Sequence, residues 1–294
     1  MTFVPEPFAE HVVACAGETG QAWLDGLPDL AADYAQRWQL TFDGPAMHGY
    51  VGVVLPATRS DGSPAVLKMS MVDKETRDEP IALEVWAGAG AVRLLDSDAA
   101  RGVLLLEGLD ATRSLQTEPI DDAVRISTGL LRRLSVPAPA GLTRDLRIEA
   151  EQFSVAGPEL WADLGAPFPR KLLDAALDVC AQLGPTAARL LVNQDLHYEN
   201  VLAGTREPWL VIDPKPLIGD PEFTTLALVW NRWSESSVDD RFAAIVDGAG
   251  FDPDRARAWT LVRAVQNWLD FVGNEDFEDV GFHAVQEIAP WAMR

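Results

Sequence analysis

Three residues in the last third of the chain have the types and spacing to move a phosphoryl group: Asp195, Asn200 and Asp213. They lie in LVNQDLHYENVLAGTREPWLVIDPK, where an apolar strand runs into Asp195 and Asn200 follows five positions later. A short hairpin then leads to a second apolar strand ending at Asp213. Phosphoryl transfer to a hydroxyl needs a carboxylate that orients the hydroxyl and accepts its proton. It also needs hard oxygen ligands that hold Mg²⁺ against the phosphates. The spacing gives Asp195 the first task and Asn200 and Asp213 the second. A lone Asp at a strand end ordinarily belongs to a turn, and a lone Asn in a loop ordinarily caps. The assignment rests on all three together in a strand–loop–strand context.

A second set of residues lies upstream. Lys68 in AVLKM is a single cation inside an apolar strand pattern, and DGPAMHGYVG carries Gly44, Gly49 and Gly52. Glycines allow close backbone approach, and a loop of this kind offers N–H donors to phosphates. By themselves, a strand lysine guards an edge and a glycine-bearing hairpin is an ordinary turn.

The elements that must position these residues change character along the chain. Gly20 to Trp38 reads as a helix broken near Pro28, with Leu30, Tyr34 and Trp38 at helical spacing. Strand patterns follow at 38–42, 50–55 and 65–69, with an Asp61-Gly62 turn before the last, which predicts an antiparallel meander. A helix is expected over 73–86, and strands over 91–95 and 103–107. Beyond residue 119, helical patterns dominate at 120–134, 171–183, 223–233, 238–248 and 253–272. Strands there are confined to 190–193, 201–202 and 209–212. The expected class is α+β: a β-rich nucleotide-binding lobe over 1–107 with an N-terminal helical extension, and a mainly helical catalytic and substrate-binding lobe over 108–294.

The segment from Leu190 to Lys215 resembles the HGDLHxxN…IDPK pattern of the aminoglycoside/hydroxyurea antibiotic kinases, a group that includes streptomycin kinases. GDPEF, Asn231-Arg232-Trp233, AVLKM and GAVRLLD are also similar to that group, so the likeness runs from about Trp38 to Asp270. It implies a two-lobed, protein-kinase-like fold and an ATP- and Mg²⁺-dependent phosphotransferase acting on a hydroxyl of an antibiotic-like compound. Residue by residue, it implies that Asp195 is the base, that His197 supports its loop, and that Asn200 and Asp213 are metal ligands. Lys68 would meet the α- and β-phosphates, and Glu79, rather than Glu84, would pair with Lys68. Gly49 would lie over the phosphates, and backbone groups near Glu107 and Leu109 would contact adenine. One departure stands out: Asn193-Gln194 occupies the place of the group's His-Gly, putting a side chain where glycine permits unusual φ/ψ.

Composition narrows the partners. The net charge of −21 over 294 residues repels nucleic acid phosphates and anionic lipid, and favours a cationic small molecule. No apolar run approaches the ~18 residues of a membrane span, and the acidic, Pro-interrupted start MTFVPEPFAEH is unlike a signal peptide. A cytoplasmic protein is expected. Cys15 and Cys180 share no metal-ligand spacing and are expected as buried small side chains. Aromatic faces and carboxylates suit a guanidinium- or ammonium-bearing ring. The acceptor-site candidates are accordingly Trp233, Trp268, Asp270 and Glu275, with Trp230, Asp276, Glu278 and Asp279 beside them.

Two other readings compete. A sugar or amino-sugar kinase of primary metabolism would use the same apparatus on a neutral or singly charged acceptor. A nucleotide-binding pseudokinase is favoured only by Asn193-Gln194 and opposed by Lys68, Asp195, Asn200 and Asp213. A protein kinase is set aside, because too few residues separate Asp213 from Gly219 to form an activation segment. The acceptor hydroxyl and the oligomeric state remain open at this level.

Overall fold

The computed structural model describes residues 4–50 and 52–294. Residues 1–3 of the acidic start, and Val51 within the strand expected over 50–55, lie outside the described residues. The chain forms two compact units, one of Met1–Thr112 with Leu202–Leu210, the other of Arg113–Val201 with Val211–Arg294. The division thus falls five residues past the expected lobe boundary at 107, and the 202–210 hairpin belongs to the first unit.

The first unit opens with α1 (Glu6–Arg37) and continues through β1 (Leu40–Phe42), β2 (Met47–His48), β3 (Gly52–Arg59) and β4 (Pro64–Ser70). It then adds α2 (Glu79–Trp86), β5 (Leu94–Asp98) and β6 (Val103–Glu107) before β7 (Asp110–Ser114). The strands form an antiparallel sheet in the order β1-β3-β4-β6-β5, with β2 paired to β3. The meander is as expected, and Gly62 takes the left-handed turn position with φ 81°.

α1 differs from expectation in both start and break. It begins at Glu6 because Phe8 and Val12 are buried with Leu24, Leu27 and Tyr34 against Val53, Leu67, Met69 and Leu105 of the sheet. The helix runs through Pro28 and kinks at Gly17, whose φ 55° and ψ −134° lie outside the helical region. Cys15 is exposed on this helix, not buried, since it falls on the solvent face. α2 begins six residues later than expected. Asp73 Oδ1 accepts from the backbone N–H groups of Glu75 and Thr76 at 2.7 and 2.8 Å, and this side-chain turn competes with helix.

The second unit contains α3 (Ile120–Leu134), β8 (Val136–Pro137), α4 (Leu146–Asp163), α5 (Arg170–Leu183) and β9 (Leu190–Asn193). After β10 (Val201–Ala203) and β11 (Trp209–Val211) come β12 (Pro216–Gly219), α6 (Thr225–Trp230), α7 (Val238–Ala249), α8 (Pro253–Gly273) and α9 (Val280–Ala292). β12, β9 and β8 form a small antiparallel sheet with β9 in the middle. α4 and α9 were not legible from apolar spacing. α4 buries only Leu146, Ala150 and Gly157, and α9 carries Pro290 internally. α9 packs on α8 and buries Val285 and Ile288. Cys180 is buried in α5, and burial pushes its thiol up to about 12. No helix among the described residues is long and apolar enough to cross a membrane.

Candidate active site

Within the first unit, Lys68 sits at the centre of the sheet, opposite Val54 of β3 and Leu104 of β6. Its ammonium meets both carboxylate oxygens of Glu79, Nζ to Oε1 at 2.8 Å and to Oε2 at 2.6 Å. Lys68 is 5% exposed and Glu79 1%. Glu84, weighed as the other partner, is exposed. Glu79 occupies the first turn of α2, where the helix dipole also favours a carboxylate.

In the loop expected to lie over phosphates, Gly49 N donates to Gly52 O at 3.0 Å. Glycine at 52 answers a steric need, because a Cβ there would meet Ser70 Oγ at 2.5 Å. The N-terminal helix reaches this hairpin: the rings of Phe8 and His48 are 5.1 Å apart, and those of His11 and Tyr50 are 4.2 Å apart. Sequence spacing gave no sign of that contact. The Glu107 carboxylate accepts from Arg206 Nη2 at 2.6 Å and from Arg93 N at 2.8 Å. Arg206 comes from the 202–210 hairpin and also donates to the Gly88 and Ala91 carbonyls. Leu109 is half-buried; a Cβ on Gly204 of the same hairpin would come within 3.3 Å of it.

Within the second unit, Asp195 leaves β9, and Asn200 closes the loop by donating Nδ2 to the Asp195 carbonyl at 3.3 Å. With its nitrogen used there, the carbonyl oxygen Oδ1 of Asn200 is the atom suited to a hard cation. Ile212 N donates to Asn200 O at 2.9 Å, which brings the next residue, Asp213, beside the loop. Asp213 has φ 47°, a left-handed conformation that is uncommon outside glycine and concentrates at functional sites.

His197 Nε2 lies 3.9 Å from Asp195 Oδ2. Burial pushes the Asp195 carboxyl up from its ordinary value, the neighbouring Asp213 adds to the rise, and His197, Arg263 and Lys215 oppose it. The Asp213 carboxylate and the Asn200 carboxamide offer hard oxygens that would suit a Mg²⁺. Among the described residues no group of three or more His, Cys, Asp or Glu forms an all-protein metal cage.

The Asn193-Gln194 departure is absorbed without a left-handed backbone. Neither residue has positive φ. Asn193 Oδ1 accepts from Asp195 N at 3.1 Å and from Lys215 N at 3.0 Å. Gln194 Oε1 accepts from Arg144 Nη2 at 3.0 Å, and Arg144 is held by Glu149 at 2.6 Å. Arg263 of α8 donates Nη1 to the Gln194 carbonyl at 2.7 Å. Asp220 of GDPEF is buried and accepts from Ala188 N, Arg255 Nε and Trp259 Nε1, each at 2.7 Å. Sequence reasoning assigned no role to Arg144, Lys215 or Arg263. The available signal for Arg263 was a lone charge inside the apolar run Leu261 to Val265; Arg144 offered none.

The acceptor candidates are not gathered in one place by the contacts they make. Trp268 is buried, its ring 4.9 Å from Phe168, so it packs within the unit rather than offering a face to a ligand. Its apolar face on α8 decides that. Trp233 is half-buried in a short turn, Asp270 is exposed on α8, and Glu275 is exposed with φ 59°. The acidic run to Asp279 is solvent-facing, edged by Phe277 at 45% exposure. Trp230, with its ring 6.0 Å from Phe271, links to a set that includes Phe282 and Phe277.

A cation-bearing antiparallel sheet followed by a helical unit carrying Asp195, Asn200 and Asp213 defines a protein-kinase-like small-molecule phosphotransferase. Solved structures share this fold. An aminoglycoside phosphotransferase APH(4)-Ia superposes with a TM-score of 0.63 at 15% identity, covering 91% of this chain and 98% of that one. The choline kinase LicA from Streptococcus pneumoniae gives a TM-score of 0.63 at 13% identity over 90% and 98%.

The family model for aminoglycoside/hydroxyurea antibiotic resistance kinases matches residues 37–272, and the chain belongs to that family. A hydroxyurea phosphotransferase of Kitasatospora aureofaciens is 43% identical over 270 residues, 90% of this chain and 79% of that protein. A streptomycin 6-kinase of Streptomyces glaucescens is 41% identical over 276 residues, 90% of each. The protein is therefore an ATP-dependent antibiotic kinase.

Proposed function

We propose that the protein transfers the γ-phosphoryl group of ATP to a hydroxyl of a cationic, guanidinium-bearing aminoglycoside of the streptomycin type. The observation that carries this reading is the Asp195 loop. Its base, its carboxamide and the strained Asp213 are tied together by hydrogen bonds from Asn200 and Ile212.

In this reading Asp195 orients the acceptor hydroxyl and takes its proton as the oxygen attacks phosphorus. Its raised carboxyl makes it a better proton acceptor than an ordinary aspartate. Asn193 holds the Asp195 backbone in place. Asn200 and Asp213 would hold Mg²⁺, which when bound neutralises charge on the phosphates. Lys68, paired with Glu79, supplies the cation for the α- and β-phosphates, while Gly49 and the backbone around Glu107 and Leu109 line the nucleotide site. The net charge of −21 and the exposed carboxylates between Asp270 and Asp279 support a cationic acceptor.

A hydroxyurea-type acceptor is the second reading, favoured by the 43% identity to the Kitasatospora protein. Radiolabelled ATP turnover against streptomycin-like, other aminoglycoside, amino-sugar and hydroxyurea acceptors separates the two. Turnover on streptomycin-like compounds is expected; transfer to hydroxyurea or a neutral sugar alone would overturn the reading.

A further inference from the structure

We propose that Lys215 is a catalytic residue whose ammonium contacts the phosphoryl group in transit. This rests on the reading of Asp195, Asn200 and Asp213 given above. Lys215 follows Asp213 and Pro214 and is only 8% exposed. Lysines are rarely buried unless paired, because desolvating an ammonium is costly. The ion pair it makes is with Asp213, Nζ to Oδ1 at 3.6 Å. That is too long for a hydrogen bond, so the attraction is Coulombic and the ammonium's donors remain to be used.

The backbone around Lys215 is fixed to an unusual degree. Its N–H donates to Asn193 Oδ1, and its carbonyl accepts from Gln194 N at 3.1 Å. Prolines stand on either side, at 214 and 216, each with φ locked by its ring. Pro216 pairs with Asn193 in the sheet. The same carboxamide oxygen that holds Lys215 also holds Asp195 N. One side chain therefore sets the base and the ammonium relative to each other.

Asn200 and Asp213 would hold a Mg²⁺ that would bring a phosphate oxygen next to the Asp213 carboxylate. An ammonium 3.6 Å from Asp213 Oδ1 is thus within reach of that phosphate. Transfer spreads negative charge over the equatorial oxygens of the moving group. A fixed cation in a partly desolvated site stabilises that charge more than an equivalent one in water. In the step, the bond from phosphorus to the ADP oxygen breaks and its electron pair stays on ADP. The acceptor oxygen forms the new bond, its proton passes to Asp195, and Lys215 stays protonated throughout.

The test measures binding as well as rate. With Mg²⁺ present, calorimetry compares AMP-PNP and ADP in wild type, Lys215→Met and Lys215→Arg. Contact with the transferring group predicts that Lys215→Met loses about tenfold of the preference for AMP-PNP over ADP, the worth of a charge-assisted bond. ADP affinity should hold, and kcat should fall ~100-fold or more. Lys215→Arg should keep most of the AMP-PNP preference.

Should Lys215→Met fail to fold, Lys215→Cys in a Cys15→Ser background is alkylated with 2-bromoethylamine, which restores an ammonium at 215, or with iodoacetamide, which does not. Recovery of both preference and kcat with the amine alone is expected. Equal weakening of ADP and AMP-PNP, or rescue by either reagent, would assign Lys215 to holding Asp213 and overturn the proposal. Asp195→Asn is run in parallel. If it is inactive while Lys215→Met is active, only the lysine proposal falls; if it is active, the underlying reading falls.

Discussion

Replacing Glu79 with Gln removes one charge from a buried pair while keeping its shape. The cost follows from the geometry. Lys68 and Glu79 are 5% and 1% exposed, with contacts of 2.8 and 2.6 Å to the two carboxylate oxygens. Breaking a buried pair by removing one partner costs ~3–5 kcal/mol, because the remaining charge is left without compensation. Lys68 cannot escape by moving its backbone, since β4 is paired on both sides, to β3 and β6. The Gln carbonyl can still accept one hydrogen bond, which sets the expectation near the lower end, at ~3 kcal/mol.

Lys68→Met/Glu79→Leu removes both charges and should be within ~1 kcal/mol of wild type, since a hydrophobic replacement of a buried pair is often near neutral. Glu84→Gln, on the exposed face of the same helix, should change stability by no more than ~0.5 kcal/mol. Urea unfolding followed by far-ultraviolet circular dichroism reads these proteins together with Lys68→Met and Glu79→Leu, and the non-additivity of the cycle that those two single variants form with wild type and the double variant reads the coupling. A loss below ~1 kcal/mol in Glu79→Gln, or a double variant as unstable as the sum of its parts, would refute the argument that this pair is a desolvated unit. Nucleotide affinity should fall in both Glu79→Gln and the double variant, because each loses the held cation.

Asp195→Asn should reduce phosphoryl transfer by ~10²–10⁴-fold or more while leaving nucleotide binding intact, as single-turnover assays would show. Because the folded protein holds the Asp195 carboxyl above its ordinary value, its ionised form costs stability at neutral pH. That cost is absent below the ordinary carboxylate range and grows as pH rises through the raised value. In metal-free buffer Asp195→Asn should therefore be at least as stable as wild type at pH 7, with the difference vanishing in acid; lower stability at pH 7 would contradict the burial account. Asp213→Ala and Asn200→Ala should weaken nucleotide binding only when Mg²⁺ is present, whereas Lys68→Ala should weaken it at saturating Mg²⁺; calorimetric titration with and without the metal decides. The acceptor Michaelis constant should rise with salt as screening shortens to ~8 Å near physiological ionic strength, and that rise should flatten in Glu275→Gln/Asp276→Asn. An acceptor constant indifferent to salt in both proteins would remove the acidic run from recognition.

The strand–loop–strand around Asp195 was legible because its chemistry is local. Residues 190–213 are nearly contiguous, so the spacing of Asp195, Asn200 and Asp213 is itself the geometry of the loop. The edges of β6, β9 and α3 were legible for a similar reason, since unbroken apolar runs or strong helical periodicity mark them without reference to the rest of the chain. α4 escaped because it buries so little, and α9 because Pro290 and the acidic run before it read as loop.

Long-range burial decided what spacing could not. The choice of Glu79 over Glu84 depends on which side of a short helix turns toward β4, and the exposure of Cys15 on which side of α1 meets the sheet. The fate of Gln194 depended most on tertiary contacts. A side chain in glycine's usual place reads from sequence as a disruption. Arg144, fifty positions upstream, and Arg263, far downstream on α8, turn it into a fixed point beside Asp195. Hydrogen bonds from distant helices carry no periodic signature. The sequence by itself therefore determined that Asp195, Asn200 and Asp213 share one short strand–loop–strand, and only the packed structure decided what holds them still.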